Sequence, residues 1–185
     1  MITRFFEHPT QLDGALVIER RPIGDARGFV ERLWCDEDLA TIAAGRTIRQ
    51  INRTVTRTKG TVRGMHFQRA PHAETKFVHC LRGRVFDVAV DLRRGSATFG
   101  KWHGVELAGD AHLTFVIPEG FAHGFQALTD DCGMLYFHTA AYAPEHEGGV
   151  HPMDPQLAIG WPLPVGEVSA RDRSHPMLDD TFEAL

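Results

Sequence analysis

The sequence predicts an all-β protein, a β-sandwich or barrel with only short peripheral helices. Many short apolar runs recur at spacings of about ten residues, Gly- and Pro-rich turn groups separate them, and helical periodicity is scarce. The chain has 185 residues, of which 43% are hydrophobic and 24% charged, as in ordinary globular proteins. We therefore expect one domain over residues 1–185, large enough to form a core without disulfide or metal staples.

The N-terminal part is expected to hold two or three strands within residues 1–35. The sequence GDARG, from Gly24 to Gly28, predicts a tight hairpin there. The best helix candidate follows, from about Asp36 to Ala44. Asp36 is a candidate cap, and Leu39, Ile42 and Ala43 would form its inward stripe.

The middle of the chain carries the strongest strand signals. Residues 76–92 read as two strands broken at Arg82-Gly83, and in the second the residues at 86, 88, 90 and 92 alternate with those at 87, 89 and 91. Further strands are predicted over 104–107, 113–117, 124–128 and 133–137. The tail over 162–185 is expected to wrap over the barrel irregularly, with a short helix near Asp179 to Leu185.

Composition excludes several classes of function. Twenty Lys and Arg stand against 24 Asp and Glu, which does not favour a nucleic-acid partner. No apolar run approaches the roughly 20 residues that span a bilayer, so no membrane role is expected. The three cysteines, Cys35, Cys80 and Cys132, share no C-x-x-C spacing, and the N-terminus lacks a secretory apolar stretch. We expect a soluble, cytoplasmic protein.

A first chemistry-bearing stretch is RGMHFQ, residues 63–68. On a regular strand Arg63 would share one face with Met65 and Phe67, and His66 would share the other with Gly64 and Gln68. A glycine beside an inward histidine allows a ligand to approach the backbone closely. Taken alone, the stretch is equally compatible with a buried structural histidine.

A second stretch, PEGFAHGF over 118–125, resembles the second motif of the cupins, which predicts a jelly roll with an inward His123. A cupin metal site would also need H-x-H followed by glutamate. Gln68 replaces the second histidine, and Glu74, His72 and His79 do not restore the spacing. We therefore expect the jelly roll without a metal or other cofactor.

A longer ordered series carries a more specific resemblance. From ARGFVER at 26–32 onward, the chain contains RGMHFQ, DVAVDLRRGSATFGKW, IPEGFAHGF, LY-x-x-T, YAPEHEGG, DP, WP and SARD in that order. The series resembles the dTDP-4-dehydrorhamnose 3,5-epimerase family, whose members are metal-free cupins. The resemblance implies an isomerase that epimerises a nucleotide-linked 4-keto-6-deoxyhexose at C3, C5 or both, without a cofactor.

The resemblance also implies roles for individual residues. His66 is similar to the family's general base, Asp172 to the carboxylate that pairs with it, and Tyr136 to the general acid. The other matched positions form the substrate site: Arg63 and Lys76 near the sugar and phosphate, His123 with Asp87 in the pocket, Gln50, Asn52, Glu147 and Arg171 toward the nucleotide, and Arg27, Phe29 and Glu31 reaching a partner's nucleotide across a homodimer. Their chemistry suits the reaction, because imidazole can accept a proton near pH 7 and phenol can donate one.

Some positions depart from the family pattern. Phe137 stands where a lysine is usual, Ala141 where the first of two tyrosines is usual, and Pro152-Met153 precede Asp154 in place of W-N. The walls around the sugar are therefore expected to differ. Two other hypotheses stay open from the sequence: a metal-dependent cupin enzyme, and a cupin that binds a sugar nucleotide without turning it over.

Overall fold

The computed structural model describes residues 4–185, which form two facing antiparallel sheets, a small hairpin and two short helices. The strands are β1 Phe5–Pro9, β2 Leu16–Arg20, β3 Ile23–Asp25, β4 Gly28–Val30, β5 Gln50–Thr56, β6 Val62–Gln68, β7 Lys76–Arg82, β8 Arg84–Asp91, β9 Trp102–Ala108, β10 Leu113–Ile117, β11 Phe121–Ala127, β12 Cys132–His138 and β13 Glu147–Gly149. The helices are α1 Asp36–Leu39 and α2 Ala170–Arg173, with a single 3-10 turn at Pro144–His146.

The strand order explains how distant segments meet. The six-stranded sheet runs β1-β2-β10-β7-β12-β5, the five-stranded sheet runs β13-β6-β11-β8-β9, and β3 pairs with β4 alone. Every pairing between these strands is antiparallel. The predicted all-β jelly-roll sandwich with short peripheral helices is confirmed, as is the hairpin around Gly24 to Gly28.

The main core lies between the two sheets. It combines buried side chains of the six-stranded sheet, such as Phe115 and Met134, with others of the five-stranded sheet, such as Leu107 and Phe125. Full burial of each such side chain contributes about 1.5–3 kcal/mol. The core therefore fixes the distance between the sheets, and with it the width of any site between them.

Strand β8 is covered on both faces, which alternation alone did not reveal. Its residues Val88 and Val90 pack outside the sandwich against a cluster that includes Trp161 and, from the tail, Leu178 and Phe182. Asp87, a polar residue on the other face of β8, lies buried inside the sandwich. The C-terminal tail thus covers an apolar sheet face that would otherwise meet water, as the sequence predicted.

A buried polar cluster joins β2, β7 and β10. His79 is fully buried, and its Nδ1 lies 3.2 Å from Nη1 of Arg20 and 2.9 Å from the Thr114 hydroxyl. Because guanidinium can only donate, Nδ1 is the acceptor and the ring is neutral. Burial, followed by the charge of Arg20, lowers the pKa of His79 to about 3.

The helices differ most from the sequence prediction. Helix α1 ends at Leu39 rather than continuing to Ala44, and Cys35, not Asp36, is its N-cap residue. The inward stripe is nevertheless correct, since Leu39 and Ala43 are buried and Ile42 packs against them. The helix predicted near Asp179 to Leu185 is absent; a turn at 180–181 is followed by irregular chain, and the apolar side chains Phe182 and Leu185 instead pack against the five-stranded sheet. Residues 1–35 hold four strands rather than two or three, although residues 1–3 lie outside the described part.

Candidate active site

A cavity of about 930 Å³ opens between the two sheets and is closed on one side by the C-terminal tail. It gathers ten of the sequence-predicted site residues: Gln50, Asn52, Arg63, His66, Lys76, His123, Tyr136, Glu147, Arg171 and Asp172. These residues come from segments up to 122 positions apart (172 − 50), so only the strand order brings them together.

His66 and Asp172 form a hydrogen-bonded pair at the cavity wall. His66 lies on β6, and its Nε2 is 2.8 Å from Oδ1 of Asp172. Burial alone would raise the pKa of Asp172, but the His66 hydrogen bond and the backbone N–H of Gly64 outweigh it, and the pKa lies below its usual value. The carboxylate is therefore ionised and can only accept, so Nε2 carries a proton and, in the neutral form of the ring, Nδ1 holds the lone pair.

Helix α2 positions Asp172 despite its length of one turn. Ser169 is its N-cap residue, and the Ser169 hydroxyl accepts a hydrogen bond from the backbone N–H of Asp172 at 3.0 Å. The preceding Val168 forms a parallel β-bridge with Val62, at the start of the strand that carries His66. The tail is thereby registered against β6, which sets the distance between imidazole and carboxylate.

Strand β6 is irregular, and this corrects the predicted side-chain directions. The sequence placed Arg63 and His66 on opposite faces, yet both line the cavity. Pairing with β11 shifts register between these two residues, because His66 pairs with His123 while Arg63 pairs with Phe125. Gly64 occupies the irregularity with φ +128°, and a Cβ there would lie 2.5 Å from Cα of Gly124. Only glycine allows this close approach.

Tyr136 enters the cavity from β12, on the sheet opposite His66. Its hydroxyl lies 3.4 Å from the Thr54 hydroxyl, and its ring packs edge-on against His123 with centroids 5.9 Å apart. Burial raises the pKa of Tyr136 above its usual value, and the Thr54 contact opposes this only in part. The phenol is therefore protonated at neutral pH and can act as an acid.

Below Tyr136, His123 and Asp87 form a second imidazole–carboxylate pair. His123 Nε2 lies 2.7 Å from Oδ1 of Asp87, and both side chains are almost wholly buried. Burial raises the pKa of Asp87, which the hydrogen bond from His123 and the charge of Lys76 offset in part. This pair fixes the cavity floor against which the Tyr136 ring rests.

Lys76 belongs to a network that sequence reasoning missed. Its Nζ donates to the carbonyl of His66 at 3.2 Å and lies 3.4 Å from Oε1 of Glu74. Glu74 also accepts a hydrogen bond from Nδ1 of His138 at 2.8 Å. Burial would raise the pKa of Glu74, but the His138 hydrogen bond and the Lys76 charge outweigh it and lower the pKa. The only sequence signal was the register of β12, which places His138 two residues after Tyr136 and on the same face.

The cavity rim carries further charge. Glu147 accepts a hydrogen bond from the Tyr142 hydroxyl at 2.6 Å and pairs with Arg171 at 2.6 Å. Gln50 accepts from the backbone N–H of Tyr142 at 2.9 Å. Three arginines, Arg63, Arg171 and Arg173, line the same opening and present donors suited to anionic groups.

The cupin metal positions serve other purposes in this chain. The Gln68 amide donates to the carbonyls of His72 and Ala141 and accepts from the N–H of Ala143, so it braces a loop. His123 is paired with Asp87. One other grouping at the cavity has ligand-type atoms within 4.8 Å of one another, namely His66, Asp172 and His175. His175 lies edge-on to the His66 ring with centroids 5.5 Å apart.

Three predicted residues lie away from this cavity. Arg27 and Phe29 are exposed on the β3–β4 hairpin, where Arg27 pairs with Asp25 at 2.5 Å. Glu31 follows the hairpin and accepts hydrogen bonds from Arg20 at 2.8 Å and His112 at 2.9 Å. The first two are thus exposed to solvent, whereas Glu31 is engaged with Arg20 and His112. Of the described helices, none is long and apolar enough to cross a membrane.

Comparison with known proteins agrees with the family resemblance of the sequence motifs. The family model for dTDP-4-dehydrorhamnose 3,5-epimerase matches residues 9–180. A dTDP-4-dehydrorhamnose 3,5-epimerase from Streptomyces griseus is 39% identical over 170 residues, which are 91% of this chain and 84% of that protein. A dTDP-4-dehydrorhamnose 3-epimerase from Streptomyces niveus is 39% identical over 179 residues, which are 95% and 85% of the two chains.

The fold agrees as closely as the sequence. The crystal structure of a dTDP-6-deoxy-D-glucose-3,5-epimerase from Legionella pneumophila, in complex with dTDP-4-keto-L-rhamnose, superposes with a TM-score of 0.89 at 39% identity. The superposition covers 94% of this chain and 92% of that one. The chain therefore belongs to the dTDP-4-dehydrorhamnose 3,5-epimerase family of isomerases.

Proposed function

We propose that the protein epimerises a dTDP-linked 4-keto-6-deoxyhexose at C3, C5 or both, in deoxysugar biosynthesis. One observation carries the proposal: the His66–Asp172 pair and the Tyr136 phenol face one cavity from opposite sheets. Epimerisation next to a ketone requires this arrangement, because a proton leaves one face of the carbon and another arrives on the opposite face.

In the proposed reaction, Nδ1 of His66 removes the proton from the carbon beside the ketone. The electron pair of the broken C–H bond forms the enolate double bond, and the negative charge moves to the ketone oxygen. Asp172 orients the ring and stabilises the imidazolium that forms, as the carboxylate does in other His–Asp pairs. Lys76 and Arg63 supply positive charge for the enolate oxygen.

Tyr136 then donates its proton to the carbon from the other face, and the enolate collapses to the ketone. The resulting phenolate regains a proton from solvent, and His66 loses one, so protons balance over the turnover. The buried phenol favours this role because its raised pKa keeps it protonated until the carbanion forms.

The nucleotide part of the substrate is assigned to the rim. Arg63, Arg171 and Arg173 would bind the diphosphate, with Gln50 and Asn52 toward the base. The crystal structure of the Legionella relative contains dTDP-4-keto-L-rhamnose, which supports a dTDP-sugar here. The relatives include both a 3,5-epimerase and a 3-epimerase. An experiment therefore has to determine whether C3, C5 or both carbons react in this protein.

The test is proton exchange in heavy water with dTDP-4-keto-6-deoxyglucose, followed by NMR of C3 and C5. We expect deuterium at one or both carbons with wild-type protein, and loss of exchange by at least about a hundredfold in His66→Ala. His8→Ala is the matched control, since His8 is an exposed histidine that pairs, among residues 4–185, only with Glu19. Absence of exchange with every dTDP-4-keto sugar tried would refute the function.

We further propose that two chains form a symmetric dimer in which the β3–β4 hairpin completes the neighbour's site. Exposed Phe29 and Val30 on the hairpin support this, because apolar side chains gathered on a short strand favour cover by a partner. The three cysteines are free, which suits the reducing cytoplasm that we propose as the location.

Complementation tests the shared site. Arg27→Ala and His66→Ala chains should each be impaired alone. A mixed dimer restores one complete site, with the unchanged His66 on one chain and the unchanged Arg27 on its partner. The shared site is contradicted if activity does not rise after the two variants are mixed and exchange subunits. It is also contradicted if the protein is a monomer at micromolar concentration. Neither result bears on the proposed reaction.

A further inference from the structure

Outside the cavity, three side chains with metal-binding atoms converge: His72, Glu145 and His146. Their ligand atoms all lie within 4.8 Å of one another, and the two imidazole rings are 4.5 Å apart between centroids, tilted by 35°. His72 lies in the turn after β6, whereas Glu145 and His146 lie in the 3-10 turn before β13. The group is separate from the His66–Asp172–His175 cluster of the cavity.

The backbone holds the two segments together. The N–H of Arg69 donates to the carbonyl of His146 at 2.8 Å, and the N–H of His72 donates to the carbonyl of Arg69 at 2.9 Å. The N–H of His146 in turn donates to the carbonyl of Ala143 at 3.0 Å. The two histidines are therefore brought together by fixed main chain rather than by chance rotamers, which reduces the ordering that a ligand must impose.

Within residues 4–185, none of these three side chains makes a hydrogen bond or an ion pair. Each imidazole can offer a ring nitrogen as a ligand, and the Glu145 carboxylate can offer an oxygen. Two neutral imidazoles beside a carboxylate are the donor set that Zn²⁺ and neighbouring divalent transition metals prefer, whereas Mg²⁺ and Ca²⁺ prefer oxygen alone.

We propose that His72, Glu145 and His146 bind a divalent transition metal ion of the zinc type, with water as the fourth ligand. Zn–N bonds of about 2.0–2.1 Å at tetrahedral angles require ligand atoms about 3.4 Å apart. Because the ligand atoms lie within 4.8 Å of one another, the group must close by no more than about 1.4 Å, which rotation of the exposed Glu145 side chain and small ring movements supply.

The bound metal would brace the cavity rim from outside. Glu147 comes directly after His146, and its carboxylate pairs with Arg171, next to Asp172. The turn that carries His72 is also the one that accepts the amide of Gln68. A metal linking the two segments would hold the rim residue Glu147 in place without contacting the substrate.

The test is a Zn²⁺ titration of the tag-free, metal-free full chain by calorimetry, with hydrogen exchange as the second readout. We expect binding in the wild type that weakens by at least about tenfold in His72→Ala and His146→Ala, and also in Glu145→Gln, whose side chain is exposed. His8→Ala should bind as the wild type does. Zinc should slow amide exchange over residues 69–72 and 143–149 only where the site is intact.

Several results would overturn the site. Wild-type protein that takes up no Zn²⁺ is one of them. Affinity unchanged in both histidine variants is another, and affinity lost instead in His175→Ala would assign the metal to the cavity cluster. Because all of these readouts are independent of turnover, a failed metal site leaves the proposed epimerase activity standing, and the reverse is also true.

Discussion

Tyr136→Phe separates the two halves of the proposed reaction, because it removes only the hydroxyl that delivers the second proton. His66 and its carboxylate partner are unchanged, so removal of the carbon-bound proton should continue. The imidazolium can exchange its proton with solvent and return a deuteron to the same face. In heavy water, Tyr136→Phe should therefore introduce deuterium at the reacting carbon without inverting the configuration of that carbon.

The structure sets the size of the competing effect on stability. The Tyr136 hydroxyl has its contact with Thr54 at 3.4 Å, near the outer limit of a hydrogen bond, so its loss costs at most about 0.5 kcal/mol. Loss of a positioned general acid slows a reaction by roughly 10² to 10⁴, which is about 3–5.5 kcal/mol of transition-state stabilisation. The catalytic effect should exceed the structural one several-fold.

The assay follows both quantities in one NMR sample in heavy water: deuterium incorporation at C3 and C5, and accumulation of the epimerised sugar. We expect incorporation by Tyr136→Phe within about tenfold of the wild type and epimer formation reduced by at least a hundredfold. Thr54→Val is the matched control, because it removes the same contact from the other side and leaves the phenol in place.

Two results would refute the assignment of Tyr136 as the acid. Epimer formation within tenfold of the wild type would show that another group protonates the carbon. Loss of incorporation equal to that of His66→Ala would show that Tyr136 acts before proton removal. Urea denaturation of the same samples distinguishes either result from a loss of activity that is caused by unfolding.

Three further changes have expected outcomes that follow from the geometry of the site and the core. Asp172→Asn should lower kcat by roughly 10² to 10⁴ with a smaller change in KM, because the neutral amide no longer stabilises the imidazolium of His66; equal activity in a steady-state assay would contradict the pair. The pKa of His79, near 3 in the folded chain, lies below its unfolded value of about 6.5, so its contribution to stability is complete above pH 6.5 and is lost as the pH falls. Between pH 6.5 and 5 that loss is about 2 kcal/mol, and urea denaturation should show a flatter pH dependence in His79→Gln. Gly64→Ala should destabilise by about 2–4 kcal/mol, since its Cβ would lie 2.8 Å from the carbonyl oxygen of His123 in a backbone conformation that alanine avoids; unchanged stability would mean that the strand relaxes there.

Local chemistry was sufficient to predict the six strands between residues 76 and 138, whereas β5 and β13 were not predicted. Alternation and the Arg82-Gly83 break gave β7 and β8 to within a residue, because Gly83 takes a positive φ of 76° that favours glycine. Leu113–Ile117 was predicted with its observed bounds. Short helices were less predictable: α2 is held by a serine cap and by packing against β6, and neither gives a helical period in the sequence.

The site was predicted as a set of residues but not as a geometry. Motif order pointed to His66, Tyr136 and Asp172, yet the face of Arg63 was wrong because the irregularity at Gly64 depends on the approach of β11. The Glu74–His138 pair was missed, since the two residues lie 64 positions apart and become neighbours only when β12 pairs with β7.

The sequence by itself determined the strands between residues 76 and 138 and the family, because periodicity and ordered motifs are local properties of the chain. The tertiary structure decided which side chains face one another. Asp172 would be an ordinary surface charge in an irregular tail if the Val62–Val168 bridge did not bring it to His66. Base and acid come from different sheets, so their separation depends on how the core packs between the sheets, and that distance is a property of the whole fold rather than of any segment.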